Sequence, residues 1–163
     1  MTTHTSARTS TPTAAQSPAA AQSQSLGLRH LDHLNLSVTD LAQTRDWYAR
    51  VFGFELVEEG VQDDGTPWAI LRSGDAMLCC YEHADWQLIG NMERRSERLH
   101  GINHFALRIT DRAAWEATVA REQVELDWGG AAIEYAHSTS WYVKDPTGYG
   151  IEVALWDGDR VGF

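Results

Sequence analysis

Two stretches decide the reading of this chain. The first is Asp32-His33-Leu34-Asn35-Leu36-Ser37-Val38-Thr39-Asp40. The second, Asn103-His104-Phe105-Ala106-Leu107-Arg108-Ile109-Thr110-Asp111, lies on it at an offset of 71. Continued to Arg121, the comparison matches at seven of 19 positions, among them both histidines and both Thr-Asp pairs. In the first stretch Leu34, Leu36 and Val38 alternate with His33, Asn35 and Ser37, the period of a strand with one apolar face. Thr39 or Asp40 then caps a helix from about Leu41 to Phe52, whose buried face is Leu41, Trp47, Tyr48, Val51 and Phe52, and Gly53 stops it. Strands are expected near 54–60, 67–73 and 76–83, with turns at Gly65 and Gly74. The second half repeats the order. A helix runs from Ala113 to about Gln123, and strands follow near 124–128, 132–136, 138–143 and 149–156. Each half reads as β-α-β-β-β, so the fold class is α+β with two related modules, at about 28–84 and 101–158.

The rest of the chain is consistent with one domain, at 26–163. Residues 1–25 are rich in Thr, Ala, Ser, Gln and Pro, and Arg8 is their only charged side chain. Such a segment cannot bury enough apolar surface to offset the entropy of ordering, so it is expected to be a disordered tail. It has no hydrophobic run of the kind a secretory signal needs. The net charge of −10 opposes the field that nucleic acid requires, and no apolar run of about 18 residues spans a membrane. Cys79 and Cys80 are the only cysteines. Neighbours on a strand point to opposite faces, so no disulfide framework is expected, and the protein reads as cytoplasmic.

The repeat also makes a chemical argument. His33 and His104 hold the same position in the two halves and are brought to equivalent places around one axis. Near the end of the second half, Ile151, Val153 and Leu155 alternate with Glu152, Ala154 and Trp156, which puts Glu152 on the face opposite the aliphatic side chains. Two imidazoles and one carboxylate with open positions form the donor set associated with Fe(II), so His33, His104 and Glu152 are the candidate metal ligands. Mn(II), Ni(II) and Zn(II) are further candidates. Arg108, on the His104 face, offers bidentate geometry to a substrate anion. Asn35 and Ser37 share the His33 face and complete the substrate-binding set.

The duplicated unit resembles the vicinal oxygen chelate superfamily, which includes glyoxalase I, fosfomycin-resistance proteins and extradiol dioxygenases. The residues that carry the resemblance are HLNLSVTDLAQTRDWYARVFGFELV (33–57), INHFALRITD (102–111) and WYVKDPTGYGIEVALW (141–156). It implies two modules, each curling a sheet into a half-barrel, that together form a cup around a metal. Within the superfamily, the segment from Tyr142 to Glu152 is most similar to small single-cup extradiol dioxygenases of the kind that open the ring of L-DOPA. That resemblance implies dioxygen and a small catechol as substrates, Tyr142 bonded to a substrate oxygen, and His137 or His83 as acid/base. The fourth family position falls on Leu78 or Cys79, and Glu82 would need a three-residue shift. A fosfomycin-type transferase, a glyoxalase-type isomerase and a drug-binding resistance protein are the alternatives. A homodimer, with modules exchanged or not, is compatible with all of them.

Overall fold

The computed structural model describes residue 27 and residues 30–158. The tail expected at 1–25 lies outside the described residues. The first module consists of β1 (Leu34–Val38), α1 (Leu41–Phe52), β2 (Glu55–Val61), β3 (Pro67–Ser73) and β4 (Ala76–Glu82). A linker with a short helix, α2 (Asn91–Ser96), leads to the second. That module contains β5 (Phe105–Ile109), α3 (Arg112–Glu122), β6 (Ile133–Glu134), β7 (Ser138–Lys144) and β8 (Gly150–Trp156). The strands form two separate mixed sheets of the same topology, β1-β4-β3-β2 and β5-β8-β7-β6. β1 runs parallel to β4, and β5 runs parallel to β8. The offset of 71 thus appears as a structural repeat.

Local chemistry sets the matching helix starts. Asp40 caps α1 by accepting the Gln43 N–H at 2.8 Å, and Asp111 caps α3 by accepting the Ala114 N–H at 3.0 Å. Gly53 ends α1 in the left-handed region, at φ 65°. Glu82, at the end of β4, accepts the Leu41 N–H at 2.8 Å, which satisfies another open amide at the start of α1. That contact occupies Glu82 structurally.

One expected element is absent. Residues 124–128 make only an isolated bridge, Leu126 to Val143, followed by a 3-10 turn at Trp128–Gly130. Trp128, Gly129 and Gly130 all have positive φ, at 59°, 72° and 85°. Three consecutive residues in that region cannot continue a strand. The strand expected near 132–136 shortens to Ile133–Glu134.

The two modules share one core. Leu36, Val38, Leu71, Leu78 and Cys80 bury one face of the first sheet against α1, and Val143, Ile151 and Val153 bury the corresponding face of the second. The Phe52 ring stacks on Trp115 at 5.7 Å and 7°, and Trp115 meets Trp141 edge-on at 6.3 Å. Polar contacts join the modules where β7 turns into β8. Buried Asp145 accepts the N–H groups of Thr147, Gly148 and Tyr149 at 3.0, 2.8 and 2.9 Å and the Tyr48 hydroxyl at 3.1 Å. The Thr39 N–H donates to Thr147 Oγ1, and the Tyr149 hydroxyl donates to the Ser37 carbonyl. Burial pushes the Asp145 carboxyl up, while the backbone amides and Tyr48 pull it back down. No helix among the described residues is long and apolar enough to cross a membrane.

Tyr48 is fully buried, so Tyr48→Phe leaves one Asp145 oxygen short of a donor in a place water does not reach. The expected loss is about 1–3 kcal/mol of unfolding free energy, measured by urea denaturation. Trp115→Ala, which opens a cavity between the modules, is expected to cost about 3–5 kcal/mol in the same assay.

Candidate metal and substrate site

The site grows from the pairing of three strands. β8 lies between β5 and β7, with Ala106 beside Glu152 on one side and Tyr142 opposite Glu152 on the other. Because side chains alternate along each strand, Glu152, Tyr142, Ser140 and the residue preceding β5, His104, share the face turned away from the core.

On that face His104 and Glu152 meet, with Nε2 to Oε2 at 2.9 Å. Ser140 Oγ donates to the other carboxylate oxygen, Oε1, at 2.6 Å. The Glu152 side chain is 14% exposed and that of His104 is 39% exposed, so the carboxylate is shielded while the imidazole reaches open solvent. The Tyr142 ring stands edge-on to His104 at 5.5 Å, and its hydroxyl lies 3.3 Å from that of Tyr135. Burial, the bond with Tyr135 and the negative charge of Glu152, in that order, push the Tyr142 phenol up, so it remains a protonated donor at neutral pH.

The His104–Glu152 contact is a direct ion pair whose separation can be set against that of two ligands of one ion. Two donors about 2.1 Å from one ion and at right angles stand about 3.0 Å apart, close to the separation of His104 and Glu152. Ser140 holds the carboxylate from behind, as partners of metal ligands do. The third expected donor does not join them within one chain. His33 is exposed, and its Nδ1 faces Asp32 Oδ2 at 2.8 Å. Among the described residues no group of three or more His, Cys, Asp or Glu is placed to hold a metal.

The other expected residues divide clearly. Tyr142 is at the pair. Arg108 is on the same sheet, paired with Ala154, and donates from Nη2 to the Gly158 carbonyl at 2.5 Å. Asn35 is exposed and Ser37 half-buried on β1. His137 is not brought to the pair. It precedes Ser138 in the β6–β7 hairpin, and the strand from Ser138 to Tyr142 is about 13 Å long at about 3.3 Å per residue. The hairpin is short because β6 is only two residues long, which leaves His137 at the far end of the sheet. His83 follows β4 and stacks on the Trp86 ring at 3.7 Å and 6°. Leu78 is buried against α1, which removes it as a ligand position. Cys79 points the other way and is half-buried, and burial, with a smaller effect of nearby Asp32, pushes its thiol up. Ser140 and Tyr135 went unrecognised in the sequence. The alternation Ser138, Ser140, Tyr142 opposite Glu152 carries the signal for Ser140, whereas Tyr135 enters only through the hairpin.

Comparison with known proteins agrees with this architecture. Residues 30–153 match the family described as the Glyoxalase/Bleomycin resistance protein/Dioxygenase superfamily. A glyoxylase/bleomycin resistance protein/dioxygenase domain from Frankia sp. EAN1pec is 17% identical, with a TM-score of 0.66 over 82% of this chain and 96% of that one. A point mutant of the genomically encoded fosfomycin resistance protein FosX from Listeria monocytogenes, solved with Mn(II) and 1S,2S-dihydroxypropylphosphonic acid, is 18% identical. Its TM-score is 0.59 over 80% of this chain and 94% of that one. TnmS3, an antibiotic binding protein from Streptomyces sp. CB03234, is 17% identical with a TM-score of 0.57, covering 80% of this chain and 98% of that one. Comparison with curated proteins finds no significant match.

Ser140→Ala removes a hydrogen bond to a carboxylate in a shielded place. It is expected to lower unfolding free energy by about 1.5–3 kcal/mol at neutral pH, read by chemical denaturation.

Proposed function

Because this chain belongs to the Glyoxalase/Bleomycin resistance protein/Dioxygenase superfamily, we propose that it is a divalent-metal enzyme, with Fe(II) as its ion, that opens the ring of a small catechol with dioxygen. The observation that carries this reading is the His104–Glu152 pair at 2.9 Å with the Tyr142 phenol beside it. Members of this superfamily bind small molecules, and the FosX structure holds Mn(II). When bound, the ion supplies Lewis acidity and, as Fe(II), electrons for dioxygen.

This chain's own residues then have distinct tasks. His104 and Glu152 hold the ion, and Ser140 keeps the carboxylate oriented. Tyr142, held protonated, donates to a substrate oxygen. Arg108 lies on the same face and attracts an anionic substituent. His33 completes the donor set from a second copy of the chain, since among the described residues of one chain no third donor joins His104 and Glu152. A symmetric dimer supplies two such sites. Within one chain His83 stacks on Trp86, and His137 lies beyond the far end of the strand that carries Tyr142. This leaves Tyr142 the role of hydrogen-bond donor to substrate and assigns neither histidine to the pair.

A second reading, a binding protein that sequesters a small molecule without turnover, draws support from the same incomplete donor set and from likeness to the TnmS3 fold.

The experiment is anaerobic loading with Fe(II), followed by oxygen uptake and absorbance with a panel of catechols. Ring opening predicts oxygen consumption and a yellow product. Glu152→Ala should lose the metal, measured by metal analysis after desalting. Tyr142→Phe should keep it and lose about 10²–10⁴-fold in rate. His137→Ala should match wild type. A metal-free protein that binds catechols without consuming oxygen would instead favour sequestration.

A further inference from the structure

The linker between the modules contains a buried arginine whose surroundings are unusual. Arg94, in α2, is 8% exposed, yet among the described residues no carboxylate pairs with it. Buried guanidinium groups ordinarily meet an acidic partner. Here Arg94 Nη2 instead donates to two amide oxygens, Asn91 Oδ1 at 2.6 Å and Asn103 Oδ1 at 2.5 Å. Asn91 closes the arrangement by donating from Nδ2 to the Asn103 carbonyl at 2.9 Å. Gly101 leaves the necessary room, because a Cβ there would lie 2.7 Å from Arg94 Nη1. Side chain and main chain of Asn103 are therefore both held by the linker.

Asn103 immediately precedes His104. On the opposite side, Gly150 at the start of β8 lies against the same two residues. A Cβ on Gly150 would stand 3.4 Å from His104 Cβ and 3.5 Å from the Asn103 carbonyl oxygen. His104 is not within a strand, since β5 begins at Phe105. The bonds from Arg94 and Asn91 hold Asn103, the residue from which His104 and β5 continue. Glu152 follows Gly150 by two residues on β8, where pairing with β5 and β7 places it, so His104 is the member of the pair that the Arg94 contacts can move.

We infer that Arg94 is a positioning residue for the His104–Glu152 pair, acting through Asn103 to fix where the imidazole stands relative to the carboxylate. The inference deepens the metal-site reading and partly rests on it. The two N–H groups of Arg94 Nη2 lie in the guanidinium plane and reach two acceptors at once, an arrangement that a tetrahedral ammonium on a shorter stem meets only in part.

The test compares wild type, Arg94→Gln, Arg94→Lys and Asn103→Ala, with Glu152→Gln as the metal-site control. Two quantities are read besides thermal stability: Mn(II) affinity by titration, and the imidazole nitrogen NMR signals of His104 in metal-free protein. Arg94→Gln is expected to weaken Mn(II) binding about 10-fold, the low end of what loss of a group bonded directly to a ligand costs, because Arg94 acts through Asn103. It should also shift the His104 nitrogen signals away from those of the paired ring. Arg94→Lys should recover part of both effects. Asn103→Ala leaves the linker core in place and should move both readouts in the same direction, which keeps the test decisive if Arg94→Gln does not fold. Lowered thermal stability with unchanged Mn(II) affinity and unchanged His104 signals would overturn the inference and reduce Arg94 to a structural clamp. If wild type and Glu152→Gln alike bind no Mn(II), the metal reading falls. The His104 signals still decide the positioning role, supporting it if Arg94→Gln shifts them and overturning it if they stay in place.

Discussion

The buried carboxylate of Asp145 is the constraint on which the rest of the structure depends. It collects three backbone amides from its own turn and one hydroxyl from the other module. A carboxylate removed from water is costly unless donors replace its hydration, and here every donor comes from a segment that must be in its final place. The three amides exist as a set only when the turn at 145–149 is closed. The Tyr48 hydroxyl arrives only when α1 is packed on its sheet. The contact therefore couples closure of a turn in the second module to docking of a helix in the first. β8 leaves that turn at Gly150, and Glu152 stands two residues later.

The aromatic contacts between α1 and α3 act over a larger area but with less direction. Phe52 stacked on Trp115, and Trp115 against Trp141, bury large surfaces without fixing a unique register. Backbone and hydroxyl contacts at Thr39, Ser37 and Tyr149 supply that register. Apolar packing supplies most of the driving force, and a few directional bonds select the arrangement.

The face that carries the site is specialised. On the second sheet, His104, Glu152, Ser140 and Tyr142 point away from the core, and each of the latter three is placed by strand pairing. The corresponding face of the first sheet offers Asn35, Ser37 and Cys79, and burial pushes the Cys79 thiol up. The repeat preserved the scaffold while the two open faces took on different chemistry. That asymmetry is the behaviour expected of a superfamily whose members share a fold and differ in what they bind or transform.

The division between sequence and tertiary structure follows the range of the interactions involved. Periodicity of two in Leu34–Val38 and Phe105–Ile109, the aspartate caps at 40 and 111, and Gly53 are local signals, and local physics decides them. The α+β repeat and the shared face of His104 and Glu152 are legible for that reason, whereas Tyr142 enters through family resemblance. Positive φ at Trp128 interrupted a segment that composition favoured as a strand, because a three-residue left-handed turn leaves little trace in hydrophobic pattern. His137 enters by resemblance to a family, and five residues of near-extended backbone separate it from Tyr142. Symmetry of sequence alone did not bring His33 to His104, because equivalence within modules leaves open which modules face each other. The bonds from Arg94 and Asn91 to Asn103 join the linker helix to the residue before His104, and the bond from Ser140 to Glu152 joins β7 to β8. Only the packed structure decides those contacts, since a side chain's partner is set by where the backbone finally places it.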